Sequence, residues 1–115
     1  MSRGGAAARR KGADFERWLV HRFAEVFGEG KVRRGLQFRS GEEVPDVDAP
    51  GLWIEAKRGK RVHVRPALDQ AVTDALGKGR WPVSVCKEDG DEPFVVLRLD
   101  DFLDLLREWW STRGQ

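Results

Sequence analysis

Residues 44–58 read VPDVDAPGLWIEAKR, and the second half of this stretch decides the fold. Its last seven residues are rich in strand-favouring side chains, which predicts a β-strand. Because side chains alternate along a strand, Glu55 and Lys57 are expected on one face. Ile54 and Ala56 are expected on the other. The predicted strand therefore has an apolar face for a core and a second face that carries a carboxylate and an amine.

A second carboxylate precedes this strand across a tight turn. Asp46 stands before the turn-forming residues 49–51, so its segment is predicted to fold back as the neighbouring antiparallel strand. Asp46 and Glu55 would then converge as two oxygen ligands, with the Lys57 ammonium beside them. Mg²⁺ prefers a few carboxylates together with water and phosphate oxygens, so this arrangement favours metal-assisted phosphodiester hydrolysis. Asp48 has the same strand parity and is the alternative ligand; the alternative to a site is a surface ion pair.

Two segments of the chain together resemble a nuclease family. The pattern PD-x8-EAK at residues 45–57 resembles the motif of the PD-(D/E)xK nuclease superfamily. Residues 10–17, RKGADFER, resemble the first helix of archaeal-type Holliday-junction resolvases, including those carried by phages. The resemblance extends over residues 10–87, whereas the apolar segment 100–115 has no clear counterpart in the archaeal enzymes.

The resemblance implies a role for each site residue. In the family a glutamate of the first helix joins the metal site, and Glu16 is the matching residue. Ser40 falls where these enzymes often carry an active-site serine, which would contact the scissile phosphate or a ligand. Asp46 and Glu55 would bind the metal, and Lys57 would position the attacking water. The implied metal is Mg²⁺, with Mn²⁺ as a substitute, and no small-molecule cofactor is implied.

The implied activity is structure-selective cleavage of branched DNA. By resemblance, the protein would resolve four-way junctions with paired symmetric nicks that leave 5′-phosphate and 3′-hydroxyl ends. A single domain offers one site, so two symmetric nicks predict a homodimer. The alternatives are a PD-(D/E)xK nuclease that acts on duplex, flap or single-stranded DNA, and a non-catalytic DNA-binding module. The intact set of two acids and a lysine favours an enzyme over the binding module.

The charge of the chain is distributed unevenly. Residues 1–65 carry fifteen Lys/Arg against nine Asp/Glu, whereas residues 66–115 carry six against ten. Basic residues therefore concentrate around the candidate site, as expected of a protein that binds a polyanion. The densest run, residues 57–65, contains no acid, although a solvated loop is the alternative interpretation. The candidates for DNA contact are Arg10, Lys11, Arg39, Arg58, Lys60, Arg61 and Arg65.

Length and composition bound the class of protein. A chain of 115 residues with 40% hydrophobic and 35% charged residues predicts a single soluble domain. No apolar stretch approaches the ~20 residues of a membrane span, and the N-terminus lacks the apolar core of a signal peptide. The single cysteine, Cys86, lies in an apolar run and is predicted to be buried core. We therefore expect a cytoplasmic protein, located in the host cell if it is phage-encoded, with no membrane partner.

Hydrophobic periodicity predicts an α/β domain with a mixed central β-sheet flanked by helices. By resemblance, this would be a restriction-endonuclease-like core. Residues 1–11 are predicted to form a flexible basic arm, and residues 12–115 a single nuclease domain. The second helix carries Gln70, which related nucleases would place near the site, while a solvated glutamine is the alternative. The predicted elements, in order, are a helix at 12–27, strands at 31–39, 44–48 and 52–58, a helix at 65–76, strands at 81–87 and 93–99, and a final helix capped by Asp100 or Asp101.

The final helix is apolar over more than one narrow face. Phe102, Leu106, Trp109 and Trp110 recur at helical spacing. So broad an apolar surface predicts that the helix either closes the core or joins a second subunit, with Trp81 and Phe94 as further candidates for such an interface.

Overall fold

The computed structural model describes residues 3–35 and 43–113 of the chain, with side chains from residue 5 onward. The order of the elements is the predicted α-β-β-β-α-β-β-α, and the strands form one five-stranded mixed sheet, which confirms the α/β class. The elements are α1 (Arg3–Phe27), β1 (Arg33–Arg34), β2 (Val47–Ala49), β3 (Leu52–Gly59), α2 (Val64–Asp74), β4 (Trp81–Glu88), β5 (Phe94–Val96) and α3 (Leu99–Ser111).

The sheet has the spatial order β1-β2-β3-β4-β5. Strands β3 and β4 run parallel and are joined by the crossover helix α2, while the other neighbouring pairs are antiparallel. The turn between β2 and β3 is tight, because Ala49 pairs with Leu52. Gly51 occupies this turn with φ of 75°, a conformation that side chains with a Cβ rarely adopt. The predicted fold-back of the Asp46 segment onto the Glu55 strand is therefore confirmed.

The two faces of β3 have different neighbours. Ile54 is fully buried in an apolar cluster with Phe15 and Leu19 of α1, and Ala56 packs against the same cluster. Lys57 points to the opposite face, where its ammonium binds Gln70 of α2. The helices α1 and α2 therefore cover opposite faces of the sheet. The predicted division of β3 into an apolar face and a face with Glu55 and Lys57 is confirmed.

The first helix is longer than predicted. It begins at Arg3, so residues 3–11, expected as a flexible basic arm, are helical in the structure. Two features explain the extension: the alanines at 6–8 have the highest helix propensity, and the Lys11 ammonium bonds Asp89 of the turn after β4 at 3.3 Å.

Other predicted boundaries also differ from the structure: β5 covers Phe94–Val96, not 93–99, and α2 covers Val64–Asp74, not 65–76. Strand β2 covers Val47–Ala49, not 44–48, so Asp46 immediately precedes the strand. The last helix is capped by Arg98 and not by an aspartate, which makes the cap prediction wrong. Asp101 lies in the first turn of α3, where its carboxylate accepts a hydrogen bond from the Arg98 guanidinium at 2.8 Å. Within the described part of the predicted strand at 31–39, β1 covers Arg33–Arg34, and residues 36–39 lie outside the described residues.

The last helix leaves most of its large apolar side chains exposed to solvent. Within α3 the buried residue is Asp101, whereas Phe102, Trp109 and Trp110 have exposed fractions of 46%, 51% and 55%. The apolar stripe of α3 therefore does not close the core of this chain. By contrast, Cys86 is fully buried, as predicted, and its Sγ lies 3.6 Å from Ser84 Oγ. None of the helices among the described residues is long and apolar enough to cross a membrane.

Candidate metal and phosphodiester site

Glu55 is the most deeply buried carboxylate of the candidate site. It is 4% exposed in the middle of β3, and Trp53 Nε1 donates a hydrogen bond to its Oε2 at 3.0 Å. Burial raises the pKa of Glu55 to about 7, and the negative charge of Asp46 contributes to the same shift. The negative charge of Asp46 therefore makes ionisation of Glu55 less favourable.

Asp46 is positioned by the backbone of both neighbouring segments. The Ala56 N–H donates to Asp46 Oδ2 at 2.9 Å, and the Gly35 N–H donates to the Asp46 carbonyl at 3.0 Å. Burial raises the pKa of the Asp46 carboxyl, while the Ala56 hydrogen bond and the Lys57 charge act against that shift. The carboxylate is thus fixed at the point where the chain enters β2.

Gly35 is a structural residue of the site that sequence reasoning missed. A Cβ at this position would overlap the backbone carbonyl of Pro45, so the close approach of the two segments requires glycine. This approach sets the path of the chain directly before Asp46. The dipeptide Arg34-Gly35 carries no motif that would have indicated the contact from the sequence.

Lys57 shares the Glu55 face and is held by α2. Its Nζ donates a hydrogen bond to Gln70 Oε1 at 2.6 Å. The positive charge of Lys57 also lowers the pKa of both Asp46 and Glu55, which places the ammonium within electrostatic range of the two carboxylates. Gln70 is exposed, and the structure brings it to the candidate lysine.

Asp74 is a second residue that sequence reasoning did not select. Its negative charge raises the pKa of both Asp46 and Glu55. Asp74 lies four residues after Gln70 in α2, so the helical period places the two side chains on the same side of the helix. The four-residue spacing from Gln70 is the sequence feature that could have indicated Asp74 as a site residue.

Glu16 reaches the neighbourhood of Asp46 but is engaged with an arginine. The Arg34 Nε and Nη2 atoms bond Glu16 Oε1 at 3.1 and 2.9 Å. Burial raises the pKa of Glu16, the Arg34 hydrogen bond opposes that shift, and the charge of Asp46 adds to it. Glu16 is therefore close enough to Asp46 to interact with it, while Arg34 neutralises its charge.

The alternative ligand Asp48 is also engaged with arginines. Arg80 Nη1 lies 2.7 Å from Asp48 Oδ1, and Arg33 Nε lies 3.5 Å from Oδ2. In the register of the sheet, Asp48 is opposite Trp53, one pair away from the Val47–Ile54 pair. The contacts of Asp48 are thus structural ion pairs, whereas those of Asp46 lead to the backbone of β3.

The candidate ligands for a metal are Asp46 and Glu55. Within residues 3–35 and 43–113, no group of three or more His, Cys, Asp or Glu side chains is arranged to hold a metal ion. Two interacting carboxylates still suit Mg²⁺, which takes much of its coordination shell from water and substrate. A divalent cation would also relieve the repulsion that helps to raise the pKa of Glu55. Ser40 and Arg39 lie outside the described residues.

Some of the basic residues predicted to contact DNA form ion pairs with acidic side chains, and others are exposed to solvent. Arg58 and Lys11 both bind Asp89 in the turn after β4, and Arg65 forms an ion pair with Asp69 at 3.4 Å. Arg10, Lys60 and Arg61 are exposed to solvent.

Comparison with known proteins does not assign the chain to a family. No protein-family model matches the chain, and no curated protein sequence matches it.

Proposed function

We propose that this protein is a Mg²⁺-dependent DNA endonuclease with its active site on β3 and the entry to β2. One observation carries the proposal: the interacting pair Asp46 and Glu55, with the pKa of Glu55 raised to about 7, lies beside the Lys57 ammonium. Paired acids with perturbed pKa values next to a cation are typical of catalytic sites. A purely structural ion pair would give carboxylates a lowered pKa instead.

In this proposal each residue has a distinct task. Asp46 and Glu55 would hold Mg²⁺, which when bound polarises a phosphoryl group and acidifies water. Lys57 would orient the attacking water and offset charge that develops on the phosphate, and Gln70 would keep the lysine side chain in position. Glu16 would support the site through Arg34. Ser40 would contact the scissile phosphate or a ligand.

We further propose that the substrate is a four-way DNA junction and the working form a homodimer. Support comes from the resemblance of residues 10–17 to the first helix of archaeal-type resolvases, and from the basic residues around the site. The exposed apolar side of α3 supplies a surface on which a second copy could pack. A two-fold pair would present two sites for the two symmetric nicks.

A non-catalytic DNA-binding module is the second candidate. It is favoured by the ion pairs that engage Glu16 and Asp48, since these two carboxylates are then already neutralised by arginines.

Incubation with labelled DNA separates the two functions. Full-length protein is mixed with a labelled four-way junction, or with a duplex of the same sequence, in Mg²⁺ and then in EDTA. We expect paired nicks in the junction, inhibition by EDTA, and loss of cutting with retained binding in Asp46→Asn and Glu55→Gln. Binding without cutting at any Mg²⁺ or Mn²⁺ concentration would establish the binding module.

A further inference from the structure

A small basic cavity lies at the start of α2, next to the candidate metal site. It has a volume of about 280 Å³ and is bounded by the end of β3, the loop that follows and the first turns of α2. Its polar lining is contributed by Lys57, Arg58, Arg61, His63 and Gln70. The cavity therefore gathers three cations, a histidine and an amide around one space.

Among residues 3–35 and 43–113, none that lines this cavity carries a carboxylate. Two acids near the cavity, Glu88 at the end of β4 and Asp89 in the turn after it, contact lining residues. Asp89 binds Lys11 in addition to Arg58, and Glu88 Oε2 accepts a hydrogen bond from the Val62 N–H at 2.8 Å. The positive charge of the lining is therefore only partly compensated, by Asp89 on Arg58 and by Glu88 on the Val62 backbone.

The beginning of α2 lacks the groups that usually stabilise a helix N-terminus. His63 is the N-cap and makes no side-chain capping hydrogen bond, and the first turn contains no acid. The N–H groups of Val64 and Arg65 belong to the first turn, where helix geometry supplies no carbonyl partner. The positive end of the helix dipole is thus surrounded by further cations, an arrangement that a bound anion would stabilise.

We propose that this cavity is a binding site for a phosphate group of a nucleic-acid strand. The cavity offers the side-chain cations and the imidazole that a phosphate uses as hydrogen-bond donors, and it adjoins the first turn of α2, which carries the Val64 and Arg65 N–H groups. Lys57 belongs both to the cavity and to the Glu55 face of β3, so the bound phosphate would lie beside the scissile one. This placement rests on the proposed nuclease function, whereas phosphate binding itself does not. The phosphate could be an internal phosphodiester or the terminal phosphate of a strand.

Binding measurements without metal test the site. Wild-type protein and Arg61→Gln are titrated with inorganic phosphate and with single-stranded oligonucleotides that carry a 5′-phosphate or a 5′-hydroxyl, and the backbone amides are followed by NMR. Arg107→Gln removes the same charge at an exposed position of α3 that does not line the cavity, and it is the matched control. We expect shifts at the Val64 and Arg65 amides and about tenfold weaker binding in Arg61→Gln, the loss of one charge-assisted contact, with less than about twofold change in Arg107→Gln.

The outcomes distinguish a terminal from an internal phosphate. They also distinguish failure of the cavity site from failure of the nuclease proposal. Stronger binding of the 5′-phosphorylated strand would identify a terminal phosphate, and equal binding of both strands, weakened in Arg61→Gln, would identify an internal one. Absence of shifts at the start of α2, or equal losses in both variants, would overturn the site. Asp46→Asn, designed to abolish cleavage, should bind phosphate normally. Phosphate binding by a protein that cuts no DNA would therefore reject the nuclease and keep the cavity site.

Discussion

The Ala56 N–H donates a hydrogen bond to Asp46 Oδ2 at 2.9 Å, across ten residues of chain. This bond connects the entry of β2 to the middle of β3, between the positions of Glu55 and Lys57. It fixes one oxygen of Asp46 relative to the strand that carries the other two candidate residues. The geometry of the site therefore depends on the register of two antiparallel strands and the tight turn between them.

Removing the charge of Glu55 should stabilise the protein while abolishing cleavage. The pKa of Glu55 is about 7 in the folded protein and about 4.3 in an unfolded chain. Between these values the folded state keeps a proton that the unfolded state loses, so the free energy of unfolding decreases as pH rises through this window. Glu55→Gln has no such titration and can still accept the Trp53 hydrogen bond.

Thermal unfolding of the metal-free protein measures this effect. Glu55→Gln should exceed the wild type by up to roughly 3 kcal/mol at pH 8, and the difference should vanish near pH 4. Mg²⁺ should stabilise the wild type at pH 8 and leave the variant unchanged. Equal stabilities at both pH values would show that Glu55 ionises normally, and near-normal cutting by the variant would remove it from the active site.

Substitution of the two aspartates should distinguish the ligand from the structural ion pair. We expect Asp46→Asn to reduce cleavage by at least about 100-fold, as loss of a group that stabilises the transition state does, with junction binding retained. Asp48→Asn removes an ion pair to Arg80 and should lower the melting temperature with a much smaller loss of cleavage rate. Single-turnover rates and thermal melts of both variants provide the measurement. The reverse pattern would make Asp48 the ligand.

The close approach of Gly35 to Pro45 should be essential for the position of Asp46. Gly35→Ala introduces a Cβ that overlaps the Pro45 carbonyl, so the segment before Asp46 must move. We expect strongly reduced cleavage and weaker Mg²⁺ binding, measured by calorimetry. Gly12→Ala is the matched control, because a Cβ there meets no atom within 4 Å and alanine favours the interior of α1. Full activity in Gly35→Ala would show that the close approach of Gly35 to Pro45 is not needed to position Asp46.

Asp89 should compete with DNA for two basic residues. Its carboxylate binds both Arg58 and Lys11, and these contacts lower its pKa. We expect Asp89→Asn to bind junction DNA more tightly and to steepen the salt dependence by up to about two phosphate contacts. Asp91→Asn, in the same exposed turn, makes the same change of charge and is the control. Filter binding at several salt concentrations measures both.

Neutralising the basic residues of the run 57–65 is the complementary test, because it removes the cations instead of the competing acid. Replacement of Arg58, Lys60, Arg61 or Arg65 should each weaken binding to all sequences and reduce the salt slope by roughly one contact. An unchanged slope after all four replacements would make the run a solvated loop.

Local periodicity predicted the elements of this fold but not the partners of its charged side chains. Alternation along residues 52–58 is sufficient to place Glu55 with Lys57, because a strand has a fixed two-residue period. The Arg34–Glu16 and Arg80–Asp48 pairs join residues 18 and 32 positions apart, so they depend on how the helix and strands pack. The contact of Gly35 with Pro45 likewise arises only when the two segments meet.

The exposed apolar side of α3 should be the dimer interface. Leu99, Phe102, Leu106 and Trp109 are spaced at three or four residues and are all exposed, a patch that a monomer would leave in water. Trp109→Glu places a charge in this patch and should convert a micromolar dimer into a folded monomer, as measured by sedimentation and circular dichroism. Val26→Glu adds the same charge at an exposed apolar position of α1 and should remain dimeric. The monomeric variant should make single nicks in a junction and lose paired nicks, because each copy carries one site. A wild-type monomer that still makes paired nicks in one encounter would reject the dimer and weaken the resolvase proposal with it.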